Sequence, residues 1–203
     1  GEGGKRYDRF RDRIMFPILD QRGNVIVFGG RVIGQGEPKY LNSPETPLFE
    51  KGRELYGLLQ ARSAIRDEDC VIVVEGYMDV VALAQHGIGN AVATLGTATT
   101  PTHVHKLLRQ ADRVIFCFDG DNAGRKAAAR ALDASLEHVA DNKTVAFLFL
   151  PTEVDPDSYV RAHGADAFRK LGRQAMPLTD FLMQELRAGK DLATAEGRSQ
   201  LVH

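Results

Sequence analysis

Three apolar segments of this 203-residue chain are each followed by acidic residues. Removing a carboxylate from water at the end of an apolar strand costs free energy unless a nearby cation neutralises its charge. In chain order, the six carboxylates are Glu75, Asp79, Asp119, Asp121, Asp155 and Asp157. Carboxylates gathered in one place repel each other and raise each other's pKa unless a cation is present. Carboxylate oxygens without histidine or thiolate favour Mg²⁺ or Mn²⁺, which normally act together with substrate phosphates. The pattern therefore indicates a divalent-metal site that works on phosphates.

Helix capping is the alternative explanation for individual acids in this set. Asp121 directly precedes a predicted helix, and Asp155 precedes Pro156, so both positions suit an N-cap that accepts a backbone N–H bond. Asp79 lies about one helical turn after Glu75 and is either a further metal ligand or a solvent-facing residue. Three acidic sites at one sheet edge make capping a weaker explanation for the whole set. For each single residue, however, capping and metal ligation both stay open.

The elements that must position these acids form an alternating pattern. Short apolar runs predict four strands, at 70–74, 90–95, 113–118 and 144–150. Helical spacing predicts helices at 77–87, after a cap at Thr100, and at 122–139. Apolar strands that alternate with helices predict an α/β fold with a parallel sheet covered on both faces. Because ligands bind at the carboxyl ends of such strands, the acids are expected at one edge.

The chain divides into three regions around this pattern. Residues 69–151 carry the alternating strands and helices. Residues 1–68 predict a mixed α/β subdomain, with a strand at 24–34 bent or bulged at a Gly-Gly pair, a proline-rich loop at 37–52 and a helix at 54–65. Residues 152–203 predict helices that end at glycines.

Composition excludes few classes of protein. Hydrophobic residues make up 43% and charged residues 26%, which are ordinary values for a globular chain, and the net charge of −1 does not indicate a polyanion partner. Cys70 and Cys117 lie inside apolar runs and are expected to be buried thiols of a cytoplasmic protein. No apolar run approaches the roughly 18 residues that span a membrane. His103 and His105 are expected on the surface of a helix, not at a zinc site.

Two motifs carry a resemblance to a known module. They read "VVEGYMDVVALAQHGI" from Val73 and "FCFDGDNAGRKAA" from Phe116, and together they resemble the Toprim module of primases, topoisomerases and some nucleases. Five further motifs are similar to the RNA polymerase domain of bacterial DnaG-type primases: "YDRFRDRIMFPI", "GGRVIG", "PKYLNSPETPLFEKGRELYGL", "LGTATT" and "DPDSYV". The resemblance extends from about residue 7 to the C-terminal helices.

The resemblance implies a nucleotidyltransferase that makes short RNA primers on single-stranded DNA for replication, with release of pyrophosphate. Glu75 would bind metal and help to deprotonate the attacking 3′-hydroxyl. Asp119 and Asp121 would hold the catalytic Mg²⁺, for which Mn²⁺ substitutes. Asp155 and Asp157 would support a metal on the incoming triphosphate, and Asp79 would be an additional ligand.

The same resemblance assigns nucleotide- and template-binding residues that composition alone would not single out. They are Arg9, Arg31, Lys39, Asn42 and Lys51. Arg9 lies in a segment whose aspartates offset half of its charge, so a solvated charged stretch is the alternative there. Tyr7 and Tyr40 suit either stacking on bases or packing in the core.

DnaG-type primases also carry an N-terminal zinc ribbon and a C-terminal domain that docks on the replicative helicase. This chain has no Cys/His cluster at zinc-ligand spacing. Zinc and contacts with helicase and single-strand-binding protein are therefore expected only in a longer protein, and this chain is expected to be monomeric. The alternatives are another Toprim enzyme, either a topoisomerase or a nuclease, and a Toprim domain that senses nucleotides.

Overall fold

The computed structural model describes residues 8–138 and 142–187, which form two sheets and six helices. The strands of the first sheet are β1 (Arg13–Leu19), β2 (Val25–Val32) and β3 (Tyr40–Asn42). The strands of the second are β4 (Cys70–Val74), β5 (Ala91–Ala93), β6 (Arg113–Phe118), β7 (Thr144–Phe149) and β8 (Met176–Pro177). The helices are α1 (Leu58–Glu68), α2 (Tyr77–Gln85), α3 (Pro101–Leu108), α4 (Asn122–Leu136), α5 (Pro156–Arg173) and α6 (Leu178–Arg187).

The second sheet has the strand order β5-β4-β6-β7-β8, and its first four strands are parallel. All four correspond to the predicted apolar runs, whose β-branched and aromatic residues suit strands buried on both faces. The two-residue strand β8 is antiparallel and has no counterpart in the prediction. The predicted α/β class is confirmed.

Helices cover both faces of this sheet. On one face, α2 and α5 pack together over a cluster that includes Leu83, Val160 and Phe168. On the other face, α1, α3, α4 and α6 pack over a cluster that includes Phe147 and Phe181, whose rings lie 4.7 Å apart between centroids. Truncation of such a buried ring to alanine typically costs about 3–5 kcal/mol of stability.

The order in which successive strands are added to the sheet reverses at β4, between β4 and β6. From β4 the chain crosses through α2 to β5 on one side, and then through α3 to β6 on the other side of β4. The carboxyl ends of β4 and β6 therefore open the crevice in which a sheet of this kind binds ligands. Glu75 directly follows β4 and Asp119 directly follows β6, so both acids lie at that crevice.

The first sheet is antiparallel, in the order β1-β2-β3, and it packs against the second through Phe16, Phe49, Tyr77 and Leu95. Gly29 explains how closely the two approach, because a Cβ atom there would lie 2.6 Å from the Tyr77 ring. Of the bulge or bend predicted at the Gly-Gly pair, the bulge is wrong: the β1–β2 register runs regularly through both glycines, and its irregularity falls between Ile18 and Leu19.

Two other boundaries in the first region differ from the prediction. The proline-rich stretch 37–52 includes strand β3, which pairs in antiparallel register with Gly29, Gly30 and Arg31 of β2. The helix predicted from residue 54 begins at Leu58 instead, because Gly57 adopts the left-handed conformation with φ 80°. The division at residues 68 and 151 remains a prediction. In the part of the chain that the structure describes, no helix has the length and apolar character needed to cross a bilayer.

Candidate active site

Four of the six predicted carboxylates line a single cavity of about 330 Å³. Glu75 and Asp119 enter it from the ends of β4 and β6, Asp79 from the first turn of α2, and Asp155 from the position before α5. The other wall comes from the first sheet and includes Lys39, Tyr40 and Asn42 of the segment around β3. The remaining lining residues are Gly76, Tyr77, Thr94, Gly96, Cys117 and Pro156.

The carboxylates in the cavity repel each other. Burial raises the pKa of Glu75, and the charges of Asp119 and Asp121 raise it further. Burial also raises the pKa of Asp119, to which the charges of Asp121 and Asp155 add. Since an unfavourable interaction between like charges is what a bound cation removes, this arrangement suits a cation in the cavity.

Asp79 shows the strongest effect among these acids. Burial, followed by the charge of Asp155, raises its pKa to about 7. Its Oδ2 atom accepts a hydrogen bond of 3.1 Å from the backbone N–H of Gly76, which helps to begin α2. Of the two positions left open for Asp79, the structure therefore shows the one that faces the other acids, and metal ligation stays a prediction.

Asp121 and Asp155 are both N-caps, as the alternative explanation proposed. Oδ1 of Asp121 accepts from the N–H of Gly124 at 2.7 Å, and Oδ1 of Asp155 accepts from the N–H of Ser158 at 2.7 Å. Burial tends to raise the pKa of Asp155, but the hydrogen bonds from Ser158 outweigh it and lower that pKa. A cap occupies only one of the two carboxylate oxygens, so capping and metal binding are compatible.

Asp121 and Asp157 do not line the cavity itself. Asp121 lies close enough to raise the pKa of both Glu75 and Asp119. Asp157 lies in the first turn of α5, where its Oδ1 accepts a 2.5 Å hydrogen bond from Nε of Arg161, four residues on. Among the six acids, Asp157 is therefore the one whose observed contact is a surface ion pair.

The donor set fits Mg²⁺ bound together with a substrate. Within residues 8–138 and 142–187, no three His, Cys, Asp or Glu side chains are close enough to form a ready-made metal site. Mg²⁺ does not need such a site, because it usually keeps several waters and binds through one or two carboxylates plus substrate phosphates. Glu75 and Asp119, which directly follow the adjacent strands β4 and β6, are the pair that this coordination would use first.

Asn42 connects the two walls of the cavity. Its Nδ2 donates to the carbonyl of Leu95 at 2.9 Å, and its Oδ1 accepts from the hydroxyl of Tyr77. Burial raises the pKa of Tyr77 to about 12, so this hydroxyl keeps its proton and donates. The guanidinium of Arg9 donates to the carbonyl of Asn42 at 3.4 Å, which places Arg9 behind this connection.

The other predicted basic residues take different positions. Lys39 lines the cavity and lies near enough to Asp155 to lower its pKa. Burial raises the pKa of Tyr40, and the nearby charge of Arg31 opposes that rise. With Lys39, Arg31 lines an adjacent groove of about 440 Å³. Lys51 lies in the turn before α1 and does not line the cavity.

Sequence reasoning missed Tyr77 and Cys117 as site residues. Cys117 lies on β6, two residues before Asp119. Because side chains alternate between the two faces of a strand, this spacing could have indicated that both residues face the same side. Tyr77 offers no such signal, because its role depends on contact with Asn42, 35 residues away. The prediction for His103 is wrong: it is fully buried, whereas His105 is exposed.

Three family models match this chain. Residues 1–62 match the N-terminal domain of the DNA primase catalytic core, and residues 69–146 match the Toprim domain. Residues 179–203 match the DnaB-helicase binding domain of primase. The third match corrects the expectation that the chain carries no helicase-binding segment, although most of that range lies outside the described residues.

Curated relatives and solved structures agree with these matches. DNA primases of Pseudomonas aeruginosa and Escherichia coli K12 are 61% and 54% identical over 98% of this chain, which spans 30% and 34% of their lengths. The chain thus covers about a third of these relatives. A crystal structure of a Pseudomonas aeruginosa DNA primase domain superposes with a TM-score of 0.93 at 61% identity, over 98% of this chain and 63% of that one.

A structure of the DnaG primase catalytic domain bound to ssDNA superposes with a TM-score of 0.94 at 53% identity, over 99% of this chain and 65% of that one. Sequence identity above 50% and TM-scores above 0.9 thus hold over nearly the whole of this chain. The chain belongs to the bacterial DnaG-type DNA primase family, in which it comprises part of the catalytic core with its Toprim domain.

Proposed function

We propose that this chain is the catalytic part of a DNA primase, which joins ribonucleotides into short RNA primers on single-stranded DNA. The observation that carries the proposal is the cavity at the switch point of the sheet, where four carboxylates face Lys39 and Asn42 across a space of about 330 Å³. Acids alone would repel nucleotides, and cations alone would not organise a metal. Their combination suits a triphosphate that arrives with divalent ions.

The reaction that we propose is an in-line nucleotidyl transfer. The 3′-oxygen of the growing primer attacks the α-phosphorus of a ribonucleoside triphosphate, a new P–O bond forms, and pyrophosphate leaves. Mg²⁺, or Mn²⁺ in its place, supplies stabilisation of the charge that develops on the attacking and leaving oxygens.

Glu75 is the residue that we assign to the proton of the 3′-hydroxyl. Partial burial and the neighbouring carboxylates raise its pKa, which makes it a stronger base than an isolated carboxylate in water. Asp119 and Asp121 would hold the catalytic ions with Glu75. Asp155, with Asp157, would orient a metal on the triphosphate, and Asp79 would complete the set.

The basic residues would receive the phosphates. Lys39 faces the carboxylates directly, while Arg31 extends the positive surface into the adjacent groove. We assign Arg9, Asn42 and Lys51 to the same nucleotide and template track. The structure of a relative bound to ssDNA and the match of residues 179–203 support a single-stranded template and a replicative helicase as partners.

Further properties follow from this proposed role. Primer synthesis for a bacterial chromosome implies a cytoplasmic protein that works beside single-strand-binding protein. Zinc belongs, on this proposal, to the part of a full-length primase that this chain does not include. We propose a monomer for the chain itself.

Primer synthesis by the full-length protein that contains this chain tests the proposal. We expect labelled ribonucleotides to be incorporated on single-stranded DNA with Mg²⁺, and the Asp119→Asn variant to lose at least a hundredfold in rate. Asp133→Asn, which alters an exposed acid on α4, is the matched control and should retain the wild-type rate. Relaxation of supercoiled DNA without primer synthesis would identify a topoisomerase, DNA cleavage a nuclease, and nucleotide binding without turnover a sensor.

A further inference from the structure

His103 does not line the cavity of the proposed active site, but it contacts the segment that carries Lys51. It lies in the first turn of α3 and has no exposed surface, although it is the kind of side chain that is usually at least partly hydrated. Its burial comes from the segment 51–54, which lies over the beginning of α3. This segment starts with Lys51, one of the residues assigned above to nucleotide binding.

Both ring nitrogens of His103 have backbone partners, and these partners fix its tautomer. Nδ1 lies 3.3 Å from the backbone nitrogen of Thr100, which can only donate. Nε2 lies 3.1 Å from the carbonyl oxygens of both Lys51 and Glu54, which can only accept. The imidazole is therefore neutral, with its proton on Nε2. Burial lowers the pKa of His103, which favours the same neutral form.

Thr100 and Lys106 strengthen the same connection. The hydroxyl of Thr100 donates to the carbonyl of Gly52 at 2.6 Å while it caps α3 through the N–H of His103. Nζ of Lys106 pairs with Oε1 of Glu54 at 2.9 Å. The first turns of α3 thus hold the carbonyls of Lys51, Gly52 and Glu54, so this short segment is fixed to the helix along its whole length.

The loop that leads into α3 reaches the carboxylate cavity at its other end. Thr94 and Gly96 line that cavity, and the loop continues to Thr100 at the cap. His103 therefore connects the cavity-lining loop of the second sheet with the segment of the first region that carries Lys51. We propose that His103 is a positioning residue, whose Nε2–H holds the backbone of Lys51 so that its ammonium group meets the nucleotide phosphates. This inference rests on the proposed function.

Three substitutions separate the two ring nitrogens. His103→Gln keeps a donor near the position of Nε2, His103→Asn keeps an acceptor near the position of Nδ1, and His103→Leu keeps neither. The matched control is His105→Leu, on the exposed face of the same helix. The measured quantities are the Kd of ATP with Mg²⁺ by calorimetry and the amide hydrogen exchange of residues 51–54 in the full-length protein.

We expect His103→Leu and His103→Asn to weaken ATP binding about tenfold and to speed amide exchange at Lys51, Arg53 and Glu54. His103→Gln should restore the Kd to within about threefold of wild type, and His105→Leu should change neither quantity. In the Lys51→Ala background, His103→Leu should have almost no further effect on the Kd, because a residue that acts through Lys51 is non-additive with it.

Two results would overturn the inference. An unchanged Kd for His103→Leu, together with faster exchange, would leave His103 with a purely structural role. Losses that add in the double variant would show that His103 does not act through Lys51. A wild-type protein that binds ATP but makes no primer would defeat the proposed function alone, since the comparison of variants would still decide the role of His103.

Discussion

Asp79 shows at the scale of one residue how the position of a carboxylate decides its protonation. An exposed aspartate is ionised at neutral pH, but burial and the charge of Asp155 raise the pKa of Asp79 to about 7. In the unfolded chain the same group would titrate near its ordinary value of 3.8. Between these two pH values the folded protein keeps a proton that the unfolded chain has lost, so this group makes the folded protein less stable as pH rises.

Asp79→Asn should therefore stabilise the metal-free protein at alkaline pH. We expect about 2 kcal/mol at pH 8, or a Tm roughly 4–8 °C higher, and almost no difference near pH 4, where the wild-type carboxyl is already neutral. Mg²⁺ should reduce the difference at pH 8, because a cation stabilises the ionised wild-type form. Thermal unfolding with and without Mg²⁺ measures this, and a variant less stable than wild type at pH 8 would contradict it.

Residue types predicted that acids would meet at one edge of the sheet, and four of the six line the cavity, while their metal-binding roles stay predictions. Capping at Asp121 and Asp155 was visible in the same way, from the helical patterns that follow them. The burial of His103 was not visible. It depends on the segment around Lys51, about 50 residues earlier in the chain, and the helical periodicity of α3 carries no information about that contact.

The turn between β6 and α4 is the element that fixes the position of Asp119. Gly124 lies in the first turn of α4, and a Cβ atom there would be 2.0 Å from the carbonyl oxygen of Asp119. Gly120 is equally confined, since its Cβ would lie 2.1 Å from the carbonyl oxygen of Leu150. The helix can begin this close to the strand only because both residues lack a side chain.

Gly124→Ala should displace Asp119 and weaken metal binding. We expect a loss of about 2–3 kcal/mol in stability and at least a tenfold weaker affinity for Mn²⁺, measured by calorimetry. Gly172→Ala is the control, because a Cβ at that position of α5 would lie 3.6 Å from Cδ1 of Ile115, an ordinary contact. Wild-type Mn²⁺ affinity in Gly124→Ala would refute the role of this turn.

At this scale the strands within continuous apolar runs were predictable, including the three-residue strand β5, whereas β3 and β8 were not. The four parallel strands follow from apolar runs that no exposed strand would carry. Strands β3 and β8 have three and two residues, too few for any periodicity, and they form because neighbouring strands offer unpaired backbone groups. The start of α1 depended on the backbone conformation of Gly57, which residue type alone does not determine.

The whole molecule brings an acidic wall and a wall that carries Lys39 together across one cavity. The acidic wall belongs to the parallel sheet and its helices, and the wall with Lys39, Tyr40 and Asn42 belongs to the segment around β3 of the antiparallel sheet. Their contact runs through Asn42, whose partners Tyr77 and Leu95 are 35 and 53 residues away. Contacts at such separations leave no local pattern, so the two walls were predictable as parts but their arrangement was not.

Because the net charge of the chain is only −1, we expect its binding of DNA to depend on a few local basic residues. We expect Lys39→Ala to weaken binding of single-stranded DNA and to reduce the slope of log K against log salt concentration by about 0.7, the value for one lost phosphate contact. Arg130→Ala, on the exposed side of α4, should leave the slope unchanged. Fluorescence anisotropy at several salt concentrations measures this, and equal slopes for Lys39→Ala and wild type would count against a phosphate contact.

Asp155 shows that this arrangement restricts which residue types can stand at one position. Its Oδ1 atom caps the N-terminus of α5, while the same side chain also lines the cavity. Glutamate carries the same charge on a side chain one methylene longer. It would therefore either lose the N-cap hydrogen bond from Ser158 or move its carboxylate away from the position that Asp155 takes in the cavity. Homologous chains that keep this geometry should accordingly treat the two acids as non-interchangeable at this position, however freely they exchange them elsewhere on the surface.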